Sequence, residues 1–197
     1  MLPIFNRMMN RDEPMTRSDG VTCIVVLPTR ELVLQSYETA VKLTRAATNI
    51  VACALTGGQS RKSEKARLRK GVHILLGTPG RLIDHLEKTD SLKEMENLET
   101  VVLDEADRML EMGYLEKIKH VFTLCKERAP DGKKIQSILL SATLRYSILL
   151  ILLLSKWHLV FLTSIRFSRS FSSMGHFVRQ RGISFSCEGF LLFLRRT

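Results

Sequence analysis

The 197-residue sequence is poor in the residues that define several specialised classes of protein. It contains 11 Gly, 5 Pro and 4 Cys, which excludes collagen-like, mucin-like and disulfide-framework proteins. The cysteines stand far apart, so no zinc-finger spacing occurs, and the five histidines form no metal-ligand pattern. Scattered thiols with apolar neighbours indicate a reducing compartment.

The sequence also lacks the apolar segments that direct a chain to a membrane. Its first residues have no basic region followed by an apolar run, so we expect no secretory signal. The longest uninterrupted apolar run, Ile148 to Leu154, is far short of the roughly 20 residues that a bilayer-spanning helix needs. We therefore expect no membrane partner.

Positive charge is in excess and is unevenly distributed along the chain. There are 30 Lys plus Arg against 20 Asp plus Glu, a formal net charge of +10. Residues 145–197 hold 8 of these bases, a single acid at Glu188, and seven of the nine Phe. Composition therefore predicts a division into residues 1–144 and a basic tail, 145–197, that is poorly ordered or loosely helical. The tail is either a nucleic-acid-binding segment with interleaved aromatics or sequence that did not evolve with the rest of the chain.

Five short apolar runs occur before residue 144, and each is continuous rather than alternating. Such runs are typical of strands buried on both faces. Stretches of helical periodicity separate them. One has Leu34, Tyr37, Val41 and Ala40 at helical spacing, and another begins at Pro79. Alternating strands and helices predict an α/β fold with a parallel sheet, in which ligands bind at the carboxyl ends of the strands. The predicted strands are 23–27, 50–55, 72–76, 100–103 and 136–140, and the predicted helices include 30–47 and 114–126.

An acidic pair follows the fourth predicted strand, in Val101-Val-Leu-Asp-Glu-Ala-Asp107. The first carboxylate, Asp104, could hold Mg²⁺, a cation that prefers oxygen ligands. The second, Glu105, could orient or deprotonate the water that attacks a γ-phosphate. Taken alone, the same residues are equally well explained by a strand that runs into the acidic N-terminus of a helix.

Five short motifs together resemble the DEAD-box family of ATP-dependent RNA helicases. The likeness spans about Gly20 to Leu144, and the motifs occur in the family's order: Pro28-Thr-Arg-Glu-Leu32 (motif Ia), Thr56-Gly-Gly58 (the GG motif), Thr78-Pro-Gly-Arg81 (motif Ib), Asp104-Glu-Ala-Asp107 (motif II) and Ser141-Ala-Thr143 (motif III). The resemblance implies a RecA-like fold of the P-loop NTPase type, of which residues 1–144 form part of the first, ATP-binding domain. It further implies ATP with Mg²⁺ as cofactors, RNA as partner, and hydrolysis coupled to RNA unwinding. Nucleolar placement in the nucleus and pre-ribosomal protein partners in ribosome assembly are also implied.

The resemblance assigns catalytic roles at the acidic end of the sheet. Asp104 is the implied Mg²⁺ ligand and Glu105 the residue that acts on water. The hydroxyl groups of Ser141 and Thr143 are implied to hydrogen-bond Asp107, which would couple the nucleotide site to the RNA-binding face.

The remaining motifs are implied to contact the RNA sugar-phosphate backbone, with low sequence specificity. Hydroxyl, guanidinium and helix-start amide groups can donate to phosphates, and glycines allow close approach of the backbone. The residues concerned are Pro28, Thr29, Arg30, Gly57, Gly58, Thr78, Pro79, Gly80 and Arg81. The basic run from Arg61 to Lys70 is either a solvated helix face or an auxiliary phosphate contact.

The sequence contains no GxxxxGK[ST] phosphate-binding loop. In the family this Walker A loop precedes motif Ia, and Leu2–Met9 resembles the rest of the helix that follows it. The glutamine motif and the second RecA-like domain are likewise not found. We therefore expect a fragment that hydrolyses ATP negligibly by itself and whose sheet lacks an interior strand, leaving unpaired edges. A non-catalytic RNA-binding module and a truncated gene product with no settled role are the alternatives.

Overall fold

The computed structural model describes residues 1–45, 49–58 and 60–141, together with the backbone of three strands at 158–163, 183–186 and 191–194. In these residues strands and helices alternate along the chain. The elements in chain order are α1 (Leu2–Met9), β1 (Cys23–Val26), α2 (Arg30–Thr44), β2 (Ala52–Leu55), α3 (Arg61–Arg69), β3 (Ile74–Gly77), α4 (Pro79–Lys88), β4 (Thr100–Leu103), α5 (Ala106–Glu111), α6 (Leu115–Arg128), β5 (Gln136–Ser141), β6 (His158–Thr163), β7 (Ile183–Ser186) and β8 (Leu191–Leu194).

The described strands form one sheet in the order β2-β3-β1-β4-β5-β6-β8-β7. Strands β1 to β5 are all parallel to their neighbours, as the alternation of strands and helices predicts. The predicted parallel five-strand sheet flanked by helices is therefore confirmed. The helix predicted at 30–47 ends at Thr44, and the one predicted at 114–126 spans Leu115–Arg128.

Helices cover both faces of the sheet, which is why the strands are apolar at successive positions. Ile24 and Val26 of β1 pack with the side chains of α3, α4, α5 and α6. Cys23 and Val25 point the other way and pack with α1 and α2. All four residues are buried. A strand with two apolar faces reads as a continuous run because its side chains alternate between the two cores.

Capping residues and a proline fix where the helices begin after the strands. The Thr29 hydroxyl accepts a hydrogen bond from the Leu32 amide at 3.4 Å, which caps α2. The Ser60 hydroxyl does the same for α3 by accepting from the Ser63 amide at 3.3 Å. Pro79 is the first residue of α4, a position where its missing N–H costs nothing.

Part of the region after residue 144 is strand. Strand β6 pairs in parallel with β5, from Gln136 opposite His158 to Ser141 opposite Thr163, and β8 and β7 add antiparallel pairs beyond it. We expected an unpaired edge, but the outer edge of β5 is paired, because β6 supplies hydrogen-bond donors and acceptors there. The apolar run 148–154 lies outside the described residues. Within the described part of the chain, no helix has the length and apolarity to cross a bilayer.

Candidate functional site

The carboxyl ends of the first five strands stand in register at one edge of the sheet. This register joins neighbouring strands through the pairs Leu55–Gly77, Gly77–Val26, Val26–Leu103 and Leu103–Leu139. The backbone ladder continues past the strands, with the Leu27 amide donating to the Gly77 carbonyl at 3.1 Å and the Asp104 amide to the Val26 carbonyl at 3.0 Å. The segments that follow β1, β2, β3 and β4 therefore emerge side by side.

Asp104 lies at this edge directly after β4, and its carboxylate is partly buried. One of its oxygens, Oδ1, accepts a hydrogen bond from the Glu105 amide at 3.0 Å. Burial raises the pKa of the Asp104 carboxyl above its ordinary value, and the nearby Glu105 charge adds to that rise, while the amide bond opposes it. A carboxylate in this position favours a nearby cation.

Glu105 has a left-handed backbone, with φ 52° and ψ 49°, at the residue that precedes α5. It is the single non-glycine residue of positive φ among those described. This conformation costs a side-chain-bearing residue roughly 1–2 kcal/mol. Strain of this kind is concentrated at functional sites. The Glu105 Oε2 atom lies 3.3 Å from Nη1 of Arg108, one turn along the helix.

The coupling predicted between Asp107, Ser141 and Thr143 is only partly within the described structure. Asp107 lies in the first turn of α5, where its Oδ1 accepts from the Arg108 amide at 3.0 Å. Ser141 is buried as the last residue of β5. Thr143 lies outside the described residues, so the hydroxyl contacts to Asp107 stay a prediction.

Motif Ia and the GG motif meet through Arg30 and Gly58. Pro28 is buried, Thr29 caps α2, and Arg30 is exposed as the first residue of that helix. The guanidinium of Arg30 lies so close to the Gly58 Cα that a methyl group there would overlap it. A glycine at 58 therefore permits the guanidinium to rest against the turn after β2.

The start of α4 presents backbone at the same edge. Thr78 precedes the helix and makes no side-chain cap to it, and its carbonyl accepts from the Leu82 amide at 2.9 Å. Gly80 is exposed, and no other group lies within 4 Å of the position that a Cβ would take there or at Gly57. With Pro79 fixing the first turn, the early amides of α4 are oriented toward any anion at this edge.

The sequence predicts that Arg81 adds positive charge to the surface at this edge, but in the structure its side chain is turned inward. Its side chain is 14% exposed, and its Nη2 lies 2.6 Å from Oε2 of Glu64, with Asp84 Oδ2 3.7 Å from Nη1. The physical reason is Glu64, which points into the protein from α3 and binds the guanidinium there.

Sequence reasoning did not single out Glu64, because it stands in a run of six bases. A signal was present: Glu64 and Leu68 are one helical turn apart, so both lie on the face of α3 that Leu68 buries. The rest of the run from Arg61 to Lys70 is a helix with largely exposed cations, in agreement with either interpretation offered for it.

The acidic pair suits a magnesium ion that arrives with a nucleotide. The described residues contain no cluster of three or more His, Cys, Asp or Glu that could hold a metal by itself. Asp104 and Glu105 supply hard oxygen donors, and Mg²⁺ is usually held by one or two carboxylates together with phosphate oxygens and waters. The donor set therefore fits Mg²⁺ bound jointly with phosphates.

An open cavity in the described part of the chain lies away from these residues. It has a volume of about 560 Å³ and lies at the opposite edge of the sheet, between segments 17–21, 68–72 and 91–97. None of the predicted site residues lines it. The cavity is therefore separate from the carboxyl ends of the strands, where the predicted site residues lie.

The chain matches the family model for the DEAD/DEAH box helicase over residues 1–150. It belongs to the DEAD/DEAH box helicase family, as its motifs predict. The RecA-like fold class is confirmed by its likeness to solved members. These include the yeast DEAD-box splicing factor Prp28, at TM-score 0.69 and 32% identity over 76% of this chain and 35% of that one. The DEAD-box helicase Mss116 bound to ssRNA and UDP-BeF has TM-score 0.71 and 30% identity, covering 83% of this chain and 33% of that one.

Curated relatives carry helicase names. The chain is 50% identical over 148 residues to "Probable ATP-dependent RNA helicase CG8611" of Drosophila melanogaster, covering 73% of this chain and 15% of that protein. It is 43% identical over 143 residues to human "ATP-dependent DNA helicase DDX31", covering 73% and 16%. The flanking segments Arg17–Gly20 and Arg61–Gly71 predict a likeness to DEAD-box helicase thirty-one, which this match confirms. "ATP-dependent RNA helicase DBP7" of Saccharomyces cerevisiae is 40% identical over 153 residues, covering 73% and 21%. The chain spans about a fifth or less of these relatives.

Replacing Asp104 by Asn should stabilise the chain at neutral pH. Because the folded state raises the pKa of this carboxyl, wild-type stability falls as pH rises through the unfolded value of 3.8 and then the folded value. We expect Asp104→Asn to have a slightly higher free energy of unfolding than wild type at pH 7, the effect being small because solvent screens this partly exposed carboxyl. The difference in the free energy of unfolding should narrow toward pH 4. Urea denaturation measures this, with the exposed Asp131→Asn as control. An Asp104→Asn variant that is less stable than wild type at pH 7 would contradict the electrostatics.

Glycine should be preferred to alanine at position 105. A left-handed residue with a Cβ is strained, so we expect Glu105→Gly to be more stable than Glu105→Ala by about 1 kcal/mol. At the exposed Lys119, in the middle of α6, the order should be reversed, with alanine favoured by roughly 1 kcal/mol. Thermal or urea unfolding of the four variants compares the two sites. If the stability difference between the glycine and alanine variants were the same at positions 105 and 119, a left-handed backbone at Glu105 would be excluded.

Proposed function

We propose that this chain is the part of an ATP-dependent RNA helicase that grips single-stranded RNA and contributes carboxylates to the nucleotide site. The observation that carries the proposal is the shared edge at which the segments after β1, β2, β3 and β4 emerge. Family membership and relatives named ATP-dependent RNA helicases support it.

The RNA would bind along the basic half of this edge through its backbone. Arg30, exposed beside Gly58, supplies a guanidinium for a phosphate. The open backbone of Gly57 and Gly80 leaves room for the sugar-phosphate chain to approach. Thr29 and Thr78 add hydroxyl groups. Contacts of this kind read no base edges, so sequence specificity should be low.

The acidic half would serve the nucleotide. Asp104 would hold Mg²⁺ jointly with the phosphates of ATP, and the bound ion would neutralise charge on the transferring phosphoryl group. Glu105 would orient the attacking water and accept its proton. The Asp107 carboxylate would accept hydrogen bonds from the hydroxyl groups of Ser141 and Thr143, so that motif III responds to the nucleotide. From the family resemblance we further propose a nucleolar role in ribosome assembly, with pre-ribosomal proteins as partners.

A non-catalytic RNA-binding module is the second candidate for this polypeptide. It is favoured by one observation, that the sequence has no GxxxxGK[ST] loop to hold a triphosphate. Both candidates require RNA at the same edge and differ in turnover.

Binding of single-stranded RNA should depend on Arg30. We expect Arg30→Ala to weaken binding roughly tenfold at low salt and to reduce the slope of log K against log[salt] by about 0.7, as loss of one phosphate contact does. Gly58→Ala should weaken binding as well, because its methyl group displaces the guanidinium. Fluorescence anisotropy measures both, with Lys126→Ala, exposed on the last turn of α6, as control.

Three outcomes would contradict this assignment. If Arg30→Ala bound RNA with unchanged affinity, Arg30 would not contact a phosphate. Affinity that instead disappears when the arginines of 145–197 are replaced by serine would locate binding in the tail. Tighter binding to DNA than to RNA of the same sequence would favour the DNA named for the human relative, since the 2′-hydroxyl is what distinguishes RNA.

Alone, the polypeptide should release phosphate from ATP no faster than its Glu105→Gln variant. Positioning and charge stabilisation supply nearly all of phosphoryl-transfer catalysis, and carboxylates without a triphosphate-binding loop provide little of either. An RNA-stimulated phosphate-release assay with ATP and Mg²⁺ tests this. Turnover clearly above that of Glu105→Gln would establish the polypeptide as an enzyme by itself.

A further inference from the structure

Glu64 is a buried acid on a helix of cations. Its side chain is 0% exposed, whereas the neighbouring Lys62 and Arg69 of α3 are exposed. A buried carboxylate is costly unless its oxygens are hydrogen-bonded and its charge is compensated. The hydrogen-bond partners of Glu64 therefore indicate its role.

Both oxygens of the Glu64 carboxylate are occupied. Oε1 accepts from the Thr56 amide at 3.0 Å. Oε2 accepts from Nε of Arg81 at 2.9 Å and lies 2.7 Å from Nε2 of His85. The other ring nitrogen of His85 lies 3.1 Å from the Thr89 hydroxyl, which fixes the imidazole in place. The side chain of Glu64 on α3 thus links the residue that follows β2 to α4.

The partners of Glu64 belong to two of the RNA-contacting segments. Thr56 is the residue from which the Gly57-Gly58 turn begins, and its amide is held by Oε1. Arg81 lies in the first turn of α4, directly after Gly80, and its guanidinium is held by Oε2. Because both segments would offer backbone rather than long side chains to RNA, their separation must match the spacing of the phosphates. A rigid, charged link between them sets that separation.

We propose that Glu64 is a positioning residue for RNA binding, which fixes the Gly57-Gly58 turn relative to the start of α4. This rests on the proposed RNA-binding function. It also changes the role of Arg81, whose charge is used inside the protein to hold Glu64. Arg81 then acts on RNA through the geometry of α4, and Arg30 remains the direct phosphate ligand.

The sign of the effect of Glu64→Gln separates this proposal from a simple charge effect. If Glu64 only neutralised Arg81, removing its charge would tighten binding to a polyanion. If Glu64 positions the two segments, the same change weakens binding, by roughly tenfold as for other residues that orient a ligand-binding group. Anisotropy with a single-stranded oligouridine RNA, on the full 197-residue chain, measures the difference.

Leu68→Val is the matched control for a general loss of stability. Leu68 is buried one turn further along α3 and packs into the core, so shortening it loosens the same helix without touching the carboxylate. Both variants are compared at a temperature where circular dichroism shows them fully folded. Binding weakened in Glu64→Gln and unchanged in Leu68→Val supports positioning, and equal weakening in both overturns it.

Arg81→Met provides a second test that does not depend on Glu64→Gln folding. We expect weaker binding with an unchanged salt slope, because the Arg81 charge faces Glu64. A slope reduced by about 0.7, as expected for Arg30→Ala, would make Arg81 a direct phosphate ligand and overturn the proposal. A wild-type chain that does not bind RNA would refute the proposed function, whereas a binding wild type with unaffected Glu64→Gln refutes only the positioning role.

Discussion

The register of the parallel ladder decides where polar chemistry can lie in this protein. Helices cover the first five strands on both faces, so the strands are apolar and their ends are where polar groups first meet water. With Leu55, Gly77, Val26 and Leu103 side by side, the following segments share one edge. A slip of one residue in any pair would turn that strand's side chains to the opposite core and move its terminal segment out of line.

The order of the strands also separates two kinds of charge along that edge. Strands β2, β3 and β1 lead into glycines, hydroxyls and Arg30, which suit a phosphate backbone. Strand β4, next to β1, leads into Asp104 and Glu105, which suit a cation. The strand that precedes Arg30 therefore lies at the boundary between the two halves, with the Asp104 amide bonded to its last carbonyl. A displacement of β1 relative to β4 would therefore move Arg30 relative to Asp104.

Residue patterns predicted the elements well and the inward-facing polar groups poorly. Continuous apolar runs identified β1 to β5, because strands covered on both faces leave that pattern directly in the sequence, whereas the parallel strand β6 was not predicted. The periodicity of α2 was only partly right: Ala40 is buried and Tyr37 packs against the core, but Leu34 is 39% exposed and Val33 is buried in its place. Glu64 was hidden by its charge, which is typical of a solvated position. The left-handed backbone at Glu105 was not predicted, because glutamate rarely adopts a positive φ and its residue type does not reveal one.

The close approach of Arg30 to Gly58 makes these two positions a single unit of variation. A side chain at 58 would overlap the Arg30 guanidinium where it now lies, so the guanidinium would have to move. Once position 30 holds a small residue, the steric cost at 58 disappears, so the effects of changing both are non-additive. The residue at position 30 thus sets how much space a side chain at position 58 can occupy.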